Sequence, residues 1–197
     1  MDASVNKDNW GFCERLAYRR PFERFLIGIL VETGKYGGTR VHQVIAPLFI
    51  PFDGVVLDWS DSIRYGHFFK QDESQELVND ISNSYIFDID EEYALNTVIN
   101  RAKQGGFSKG TSSDFFTPKG EQNIIEVAGY ALILQGKLEA AQHVLSFALY
   151  DDAIFPWQFQ HNERVVKILS LMDESKEKTI AQLDEWCAHT KNALKMQ

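Results

Sequence analysis

Five histidines are the first residues to consider for metal binding or general base catalysis, and their spacing supports neither role. They stand at positions His42, His67, His143, His161 and His189. None forms a HExxH arrangement, and none pairs with another ligand at the four-residue spacing that places two side chains on one helix face. Cys187 and His189 are two apart, which on a helix points them to different faces. We therefore interpret the histidines as ordinary surface or half-buried side chains and predict no metal site.

Patterns for nucleophiles and phosphate binding are also incomplete. Residues 105–112 have the composition of a phosphate-binding loop, but they lack the preceding strand and the GxxxxGK[ST] order. No GxSxG elbow occurs. Cys13 would need a thiolate-stabilising setting to act as a nucleophile. The nearby Arg15, Arg19 and Arg20 could supply it, but a structural cysteine is the simpler interpretation. The sequence therefore predicts a protein that is not an enzyme and holds no cofactor.

An excess of acidic residues between Asp53 and Glu92 is the clearest feature of the charge distribution. These forty positions hold eleven acids and two bases, a charge of −9, whereas the whole chain carries −8. Residues 88–92 superficially resemble a calcium loop but lack the glycine and the glutamate that an EF-hand needs at its sixth and twelfth positions. Asp90, Glu91 and Glu92 are explained by a helix cap and first turn. Capping leaves the eight further acids unexplained.

This charge layout predicts a protein that binds a basic partner. An acidic surface raises the association rate and the specificity for a cationic target, and a net charge of −8 opposes binding to nucleic acid. Aromatic side chains surrounded by acids are a common interface composition. We place the partner contact on ten residues: Asp72, Glu73, Glu76, Asp80, Tyr85, Phe87, Asp88, Asp90, Glu91 and Glu92. A solvated acidic face that aids solubility is the alternative interpretation of the same residues.

Two other functions stay open. A small enzyme would have its pocket between the sheet and the helices, with Asp58 and Asp61 beside Trp59 as carboxylates able to do chemistry. A helical scaffold would bind a peptide in a groove of residues 121–196, and that function requires exposed apolar surface there.

Two long apolar, β-branched runs, 22–33 and 40–52, are the segments around which the fold must form. The glycine-rich stretch 34–38 between them predicts a hairpin turn. Pro47 and Pro51 lack the donor that a strand ladder needs, which places the second half of that strand at a sheet edge or at a bulge.

The remaining elements complete an α+β fold. Strands at 55–59 and 65–70 extend the hairpin to an N-terminal antiparallel β-meander of three to four strands, and the apolar spacing over 10–18 predicts a helix before it. Further helices are predicted at 72–83, 90–104, 121–135, 137–149, 161–172 and 174–196. The last four are expected to form a C-terminal antiparallel bundle. A loop, 105–120, connects the sheet-containing part, 1–104, to the helical part, 121–197, and the two parts are expected to form one compact unit.

The helical hairpin and the second strand carry two family resemblances. Gly136-Lys137-Leu138-Glu139-Ala140-Ala141, followed by Ala148-Leu149, resembles the second helix of a tetratricopeptide repeat. Because the pattern occurs once and such arrays need about three repeats, an ordinary tight helix pair is predicted. Ala46-Pro47-Leu48-Phe49-Ile50-Pro51 and the alanine-rich helix after Glu121 resemble small bacterial proteins of unknown function that join a β-meander to helices. Some of these lie beside toxin genes and are suspected immunity proteins, so the resemblance implies a toxin as the basic partner.

Cysteine content and hydropathy predict the compartment. Cys13 and Cys187 lie at opposite ends of the chain, and their spacing indicates neither a disulfide framework nor a zinc site. With no signal peptide at the N-terminus, a reducing cytoplasm is expected. No apolar run reaches the roughly 18 residues that a membrane-spanning helix needs, so no membrane partner is expected.

Overall fold

The computed structural model describes residues 10–194 except 14, 21, 22, 36, 52–59, 64–66, 85, 87, 105–117, 119 and 120. The chain forms two compact units, one of Met1–Glu91 with Cys187–Gln197 and one of Glu92–Trp186. The predicted connection at 105–120 lies outside the described residues, except for Pro118, and stays a prediction.

The first unit is built on an antiparallel β-meander. Its strands β1 (Trp10–Cys13), β2 (Leu16–Arg19), β3 (Phe25–Thr33), β4 (Thr39–Pro47) and β5 (Ser60–Ser62) pair in the order of the sequence. β3 lies between β2 and β4, with Leu30 opposite both Leu16 and His42. This central position explains why β3 is apolar on both faces, since both faces of its first half are buried. With the helices described below, the meander confirms the predicted α+β class.

The predicted helix over 10–18 is wrong, because these residues form β1 and β2. Leu16 and Tyr18 are buried whereas Ala17 and Arg19 are half-buried, which is the two-residue alternation of a strand. Pairing with β3 decides between the two conformations. β2 supplies hydrogen-bond partners for the backbone of β3, which a helix over these residues would leave unpaired on that side. Gly28 of β3 lies against the carbonyl of Ala17, where a Cβ would have no room.

The predicted turn between β3 and β4 is confirmed. Gly37 and Gly38 have φ angles of 86° and 83°, and the Gly34 N–H donates to the Gly38 carbonyl at 3.1 Å. β4 ends at Pro47, as its missing donor requires. The predicted strand 55–59 lies outside the described residues. Of the strand predicted at 65–70, the described residues 67–70 form an isolated bridge instead, between Phe69 and Thr39.

Three helical segments complete the first unit. A 3₁₀ turn (Gln71–Glu73) leads into helix α1 (Ser74–Ser82). The C-terminal end of helix α6 (Lys176–Ala193) belongs to this unit from Cys187 onward. There the Thr190 hydroxyl donates to the Ile50 carbonyl at 2.9 Å, and the Cys187 thiol donates to the Glu23 carbonyl at 3.4 Å. These bonds fix the helix end to the segment that follows β4 and to the one that precedes β3.

The second unit is helical. It contains α2 (Glu91–Gln104) from Glu92 onward, α3 (Gln122–Leu134), α4 (Leu138–Leu145), α5 (Pro156–Glu174) and α6 up to Trp186. The tight pair predicted around Gly136 is confirmed. Gly136 has a φ of 77°, and the Lys137 N–H donates to the Leu132 carbonyl at 2.9 Å, which closes α3 with a Schellman motif.

α5 begins five residues before its predicted start at 161. Pro156 is the first helical residue, where its missing N–H costs nothing. The side chain of Gln158 accepts the N–H groups of Ile154 and Phe155 at 2.8 and 3.0 Å and so caps this end. Among the described residues, no helix has both the length and the apolar character that crossing a membrane requires.

Candidate functional site

α1 presents a line of acids on one side. With Asp72 in the preceding 3₁₀ turn, Asp72, Glu76 and Asp80 follow one another at four-residue spacing, which places them along one helix face. None of the residues of α1 is buried, and Val78 is 52% exposed. A helix in a folded protein normally buries an apolar stripe. On α1 and the turn before it, Asp72, Glu76 and Val78 are exposed and Asp80 is half-exposed. We call Asp72, Glu76 and Asp80 the α1 acidic face.

Glu73 forms contacts within the fold that the sequence did not indicate. Its carboxylate accepts the backbone N–H of Lys70 at 2.7 Å and lies 3.4 Å from Nε2 of His67. Glu73 therefore caps the start of this segment. Asp72 is exposed. The charge of Glu73 is thus used within the fold.

The acids at the start of α2 divide in the same way. Asp88, Asp90 and Glu92 are exposed, whereas Glu91 is half-buried and accepts a hydrogen bond from Arg24 at 3.2 Å. The predicted aromatic contact residues Tyr85 and Phe87 lie outside the described residues and stay predictions.

A cleft of about 240 Å³ lies beside Glu91 in the first unit. Phe25, Ile27 and Ile89 give it an apolar side, and its charged lining comprises Arg19, Glu23, Arg24, Asp90 and Glu91. Burial and the hydrogen bond with Glu23 raise the pKa of Glu91 above its ordinary value of 4.5, against the opposing effect of Arg24. The cleft is smaller than the roughly 300 to 1,000 Å³ of most small-molecule sites. Asp58 and Trp59, proposed for an enzyme, lie outside the described residues.

The second unit contains a buried ionic cluster that the sequence analysis missed. Glu126 on α3 is fully buried, and its carboxylate accepts two hydrogen bonds from Arg164 at 2.9 and 3.0 Å and one from the Tyr130 hydroxyl at 2.9 Å. Nδ1 of His161 lies 3.0 Å from the same carboxylate. Burial acts to raise the pKa of Glu126, but the bonds from His161 and Arg164 outweigh it and hold that pKa below its ordinary value of 4.5.

The geometry around His161 shows that this cluster is structural. Nδ1 faces the Glu126 carboxylate and Nε2 lies 2.8 Å from the Ala148 carbonyl. Each ring nitrogen therefore has an acceptor oxygen within hydrogen-bonding distance. A His–Glu pair can act as a general base only if one ring nitrogen can accept a proton from a substrate. Here both nitrogens are occupied, so the cluster joins α3 and α5 to the segment after α4.

A group of exposed apolar side chains lies directly beside that cluster in sequence. Ile154, Phe155, Trp157 and Phe159, at the start of α5, are between 52% and 75% exposed. The rings of Phe155 and Trp157 stack with an interplanar angle of 5°. The ring of Tyr150 meets that of Trp157 edge-on, with 5.4 Å between the ring centroids. We call Ile154, Phe155, Trp157 and Phe159 the aromatic surface. It supplies the exposed apolar area that a peptide-binding function for residues 121–196 requires.

Comparison with known proteins adds no assignment. No protein-family model matches the chain, and no curated protein or solved structure matches it significantly. Within the part of the chain that the structure describes, no three His, Cys, Asp or Glu side chains are grouped so that they could hold a metal ion. The α1 acidic face, the aromatic surface and the cleft beside Glu91 are therefore the features that bear on function.

Proposed function

We propose that this protein is a non-catalytic binding protein of the immunity type, which binds and neutralises a basic protein partner such as a bacterial toxin. The α1 acidic face is the observation that carries the proposal. Three acids share one side of a helix that buries none of its residues. A helix that contributes so little to the core is better explained by contact with a partner than by stability of the fold.

Electrostatics supports a cationic partner. Complementary charge accelerates encounter and rejects wrong partners, and the effect grows when several like charges share one surface. A protein that acts on nucleic acid carries the basic surface that such a face would complement. The exposed Asp88, Asp90 and Glu92 belong to the same acidic segment of the sequence and add to its negative charge.

A small enzyme is the second candidate, and the cleft beside Glu91 is the observation that favours it. A carboxyl group with a raised pKa in a cleft is typical of general acids. The volume of the cleft and the bond between Glu91 and Arg24 weigh against catalysis. Binding therefore remains the preferred function.

Capture of the partner from the native organism, at low and at high salt, tests the proposal. The partner is then purified, and its affinity is measured for the wild type and for Asp72→Lys/Glu76→Lys/Asp80→Lys. Reversal should weaken binding by at least about tenfold at low salt and reduce the salt dependence. The matched control reverses three exposed acids elsewhere, Asp173, Glu174 and Asp184. A captured partner that is indifferent to salt, or equally sensitive to both triple variants, would reject this placement of the interface.

A further inference from the structure

Side-chain hydrogen bonds hold the backbone at the start of the aromatic surface and just before it. Before α5, the Gln158 side chain accepts the N–H groups of Ile154 and Phe155. Further back, Asn162 bonds both the N–H and the carbonyl of Tyr150 at 2.9 Å. Side chains on a backbone that is already ordered lose little further entropy on binding, and such preorganised apolar groups are effective contact residues.

The buried cluster fixes the same segment from inside the unit. His161 donates to the Ala148 carbonyl at 2.8 Å and is itself held by Glu126. The segment that presents the aromatic surface is therefore attached to α3 through the buried side chains of His161 and Glu126. Soluble proteins rarely expose contiguous apolar side chains without a binding role, and here the exposed group is rigidly built.

Charge along the segment that carries the aromatic surface indicates which partner it fits. No Lys or Arg occurs between Lys137 and Arg164, whereas Asp151 and Asp152 are exposed in the turn before Ile154. An anionic membrane would be repelled by these carboxylates. A second copy of the chain would bring the same carboxylates close together, which is unfavourable. A segment that combines apolar side chains with Lys or Arg complements both the aromatic rings and the acids.

We propose that the aromatic surface is a docking site for a protein segment whose apolar side chains are flanked by Lys or Arg. Apolar side chains of that segment cover Phe155 and Trp157, and its cations lie against the aromatic rings and beside Asp151 and Asp152. The inference rests on the proposed function, because it assigns the same class of basic partner to a second contact surface.

A defined peptide pair tests this site without knowledge of the natural partner. The probe is a synthetic helical peptide of about 18 residues with Leu on one face and Lys on the other, and the matched peptide carries Glu in place of Lys. Affinity is measured by calorimetry for the wild type, Phe155→Ala/Trp157→Ala, Ile154→Ser and Asp151→Lys/Asp152→Lys. The changed side chains are all exposed, and thermal unfolding of each variant verifies that it folds.

We expect the Lys peptide to bind the wild type and the Glu peptide to bind at least about tenfold more weakly. Each variant at the aromatic surface should weaken the Lys peptide by at least about tenfold, or about 1.4 kcal/mol. The reversal Asp72→Lys/Glu76→Lys/Asp80→Lys should change its affinity by less than about threefold, so loss at one surface can be distinguished from loss at the other.

Three outcomes would overturn the inference. One is a Lys peptide whose affinity does not change in folded variants of Phe155, Trp157 and Ile154. Another is stronger binding of the wild type to phosphatidylcholine–phosphatidylglycerol vesicles than to the peptide, abolished by Phe155→Ala/Trp157→Ala. The third is a dimer in solution that the same double variant dissociates. Failure of the natural partner to respond to the α1 reversal, with peptide binding intact, would count against the proposed function alone.

Discussion

Replacement of Glu126 by Gln removes the only negative charge that the described structure places against Arg164 and His161 in the buried cluster. The amide keeps the shape of the carboxyl group but offers one acceptor where the carboxylate offered two, and its NH2 group faces other donors. Removing one partner of a buried ion pair costs about 3 to 5 kcal/mol, because the remaining charge stays buried. The Arg164 side chain is 21% exposed and can recover some hydration, so we expect a loss of about 3 kcal/mol.

The assay is chemical denaturation followed by circular dichroism at pH 7, with the free energy of unfolding obtained by linear extrapolation. The matched control is Glu174→Gln. Its carboxylate lies 2.7 Å from Lys178 but in an exposed pair, so its loss should cost about 0.5 kcal/mol or less. A loss below about 1 kcal/mol for Glu126→Gln would refute the ionised, fully bonded cluster described above.

The pH dependence of this difference tests the same reasoning. The pKa of Glu126 is lowered in the folded protein, so the stability that its charge supplies is fully present above about pH 4.5. It is lost as the pH falls through the lower pKa of the folded state. The difference in free energy of unfolding between the wild type and Glu126→Gln should therefore shrink on acidification. A difference that stays constant down to the acid unfolding transition would contradict the lowered pKa of Glu126.

Further predictions concern Glu91, Gly136 and Glu73. NMR titration should find the Glu91 pKa above 4.5; Glu23→Ala should lower it and Arg24→Ala should raise it, because Glu23 raises and Arg24 lowers it in the fold. The stability linked to that raised pKa is present below about pH 4.5 and is lost as the pH rises through the pKa of the folded state. A measured Glu91 pKa below 4.5 would contradict the surroundings that the cleft gives this carboxyl group. Gly136→Ala should cost about 1 kcal/mol in thermal unfolding, because its φ of 77° is unfavourable for a residue with a Cβ; no loss would mean that the α3–α4 turn differs. Glu73→Ala should lower the free energy of unfolding by about 1 kcal/mol, because the bond from the Lys70 N–H is lost. Asp72→Ala removes an exposed acid and should change it by less than about 0.5 kcal/mol. Equal losses in the two variants would reject Glu73 as the cap.

Local signals in the sequence were enough to predict the central hairpin and most helices. The apolar runs on either side of Gly37 and Gly38 and the helix start at Asp90 depend on neighbouring residues alone. The segment 10–18 was assigned wrongly because its apolar spacing fits a helix and a strand pair equally well. Pairing with β3, which lies distant in sequence from Trp10, makes the choice. The start of α5 was predicted five residues too late, because a proline that ends one helix and one that begins another look the same in sequence.

The candidate surfaces were predictable to different degrees. The α1 acidic face could be found because charge is visible in the sequence and its four-residue spacing persists in the fold. The buried cluster could not be predicted from the sequence, because Glu126 and Arg164 lie 38 positions apart and meet only when α3 packs on α5. Its one signal was an acid inside an otherwise apolar helix. The aromatic surface has no sequence signal, because exposure of Trp157 and Phe155 depends on how the helices pack.

Hydrogen–deuterium exchange on the complex with the captured partner tests the central claim most directly. If the α1 acidic face is the contact, amides of residues 71–82 should exchange more slowly in the complex than in the free protein. Asp72→Lys/Glu76→Lys/Asp80→Lys should abolish that protection. Residues 173–184, which carry the control acids, should exchange at the same rate in both states. A tight complex in which 71–82 exchange unchanged would contradict the account, because the partner would then bind elsewhere.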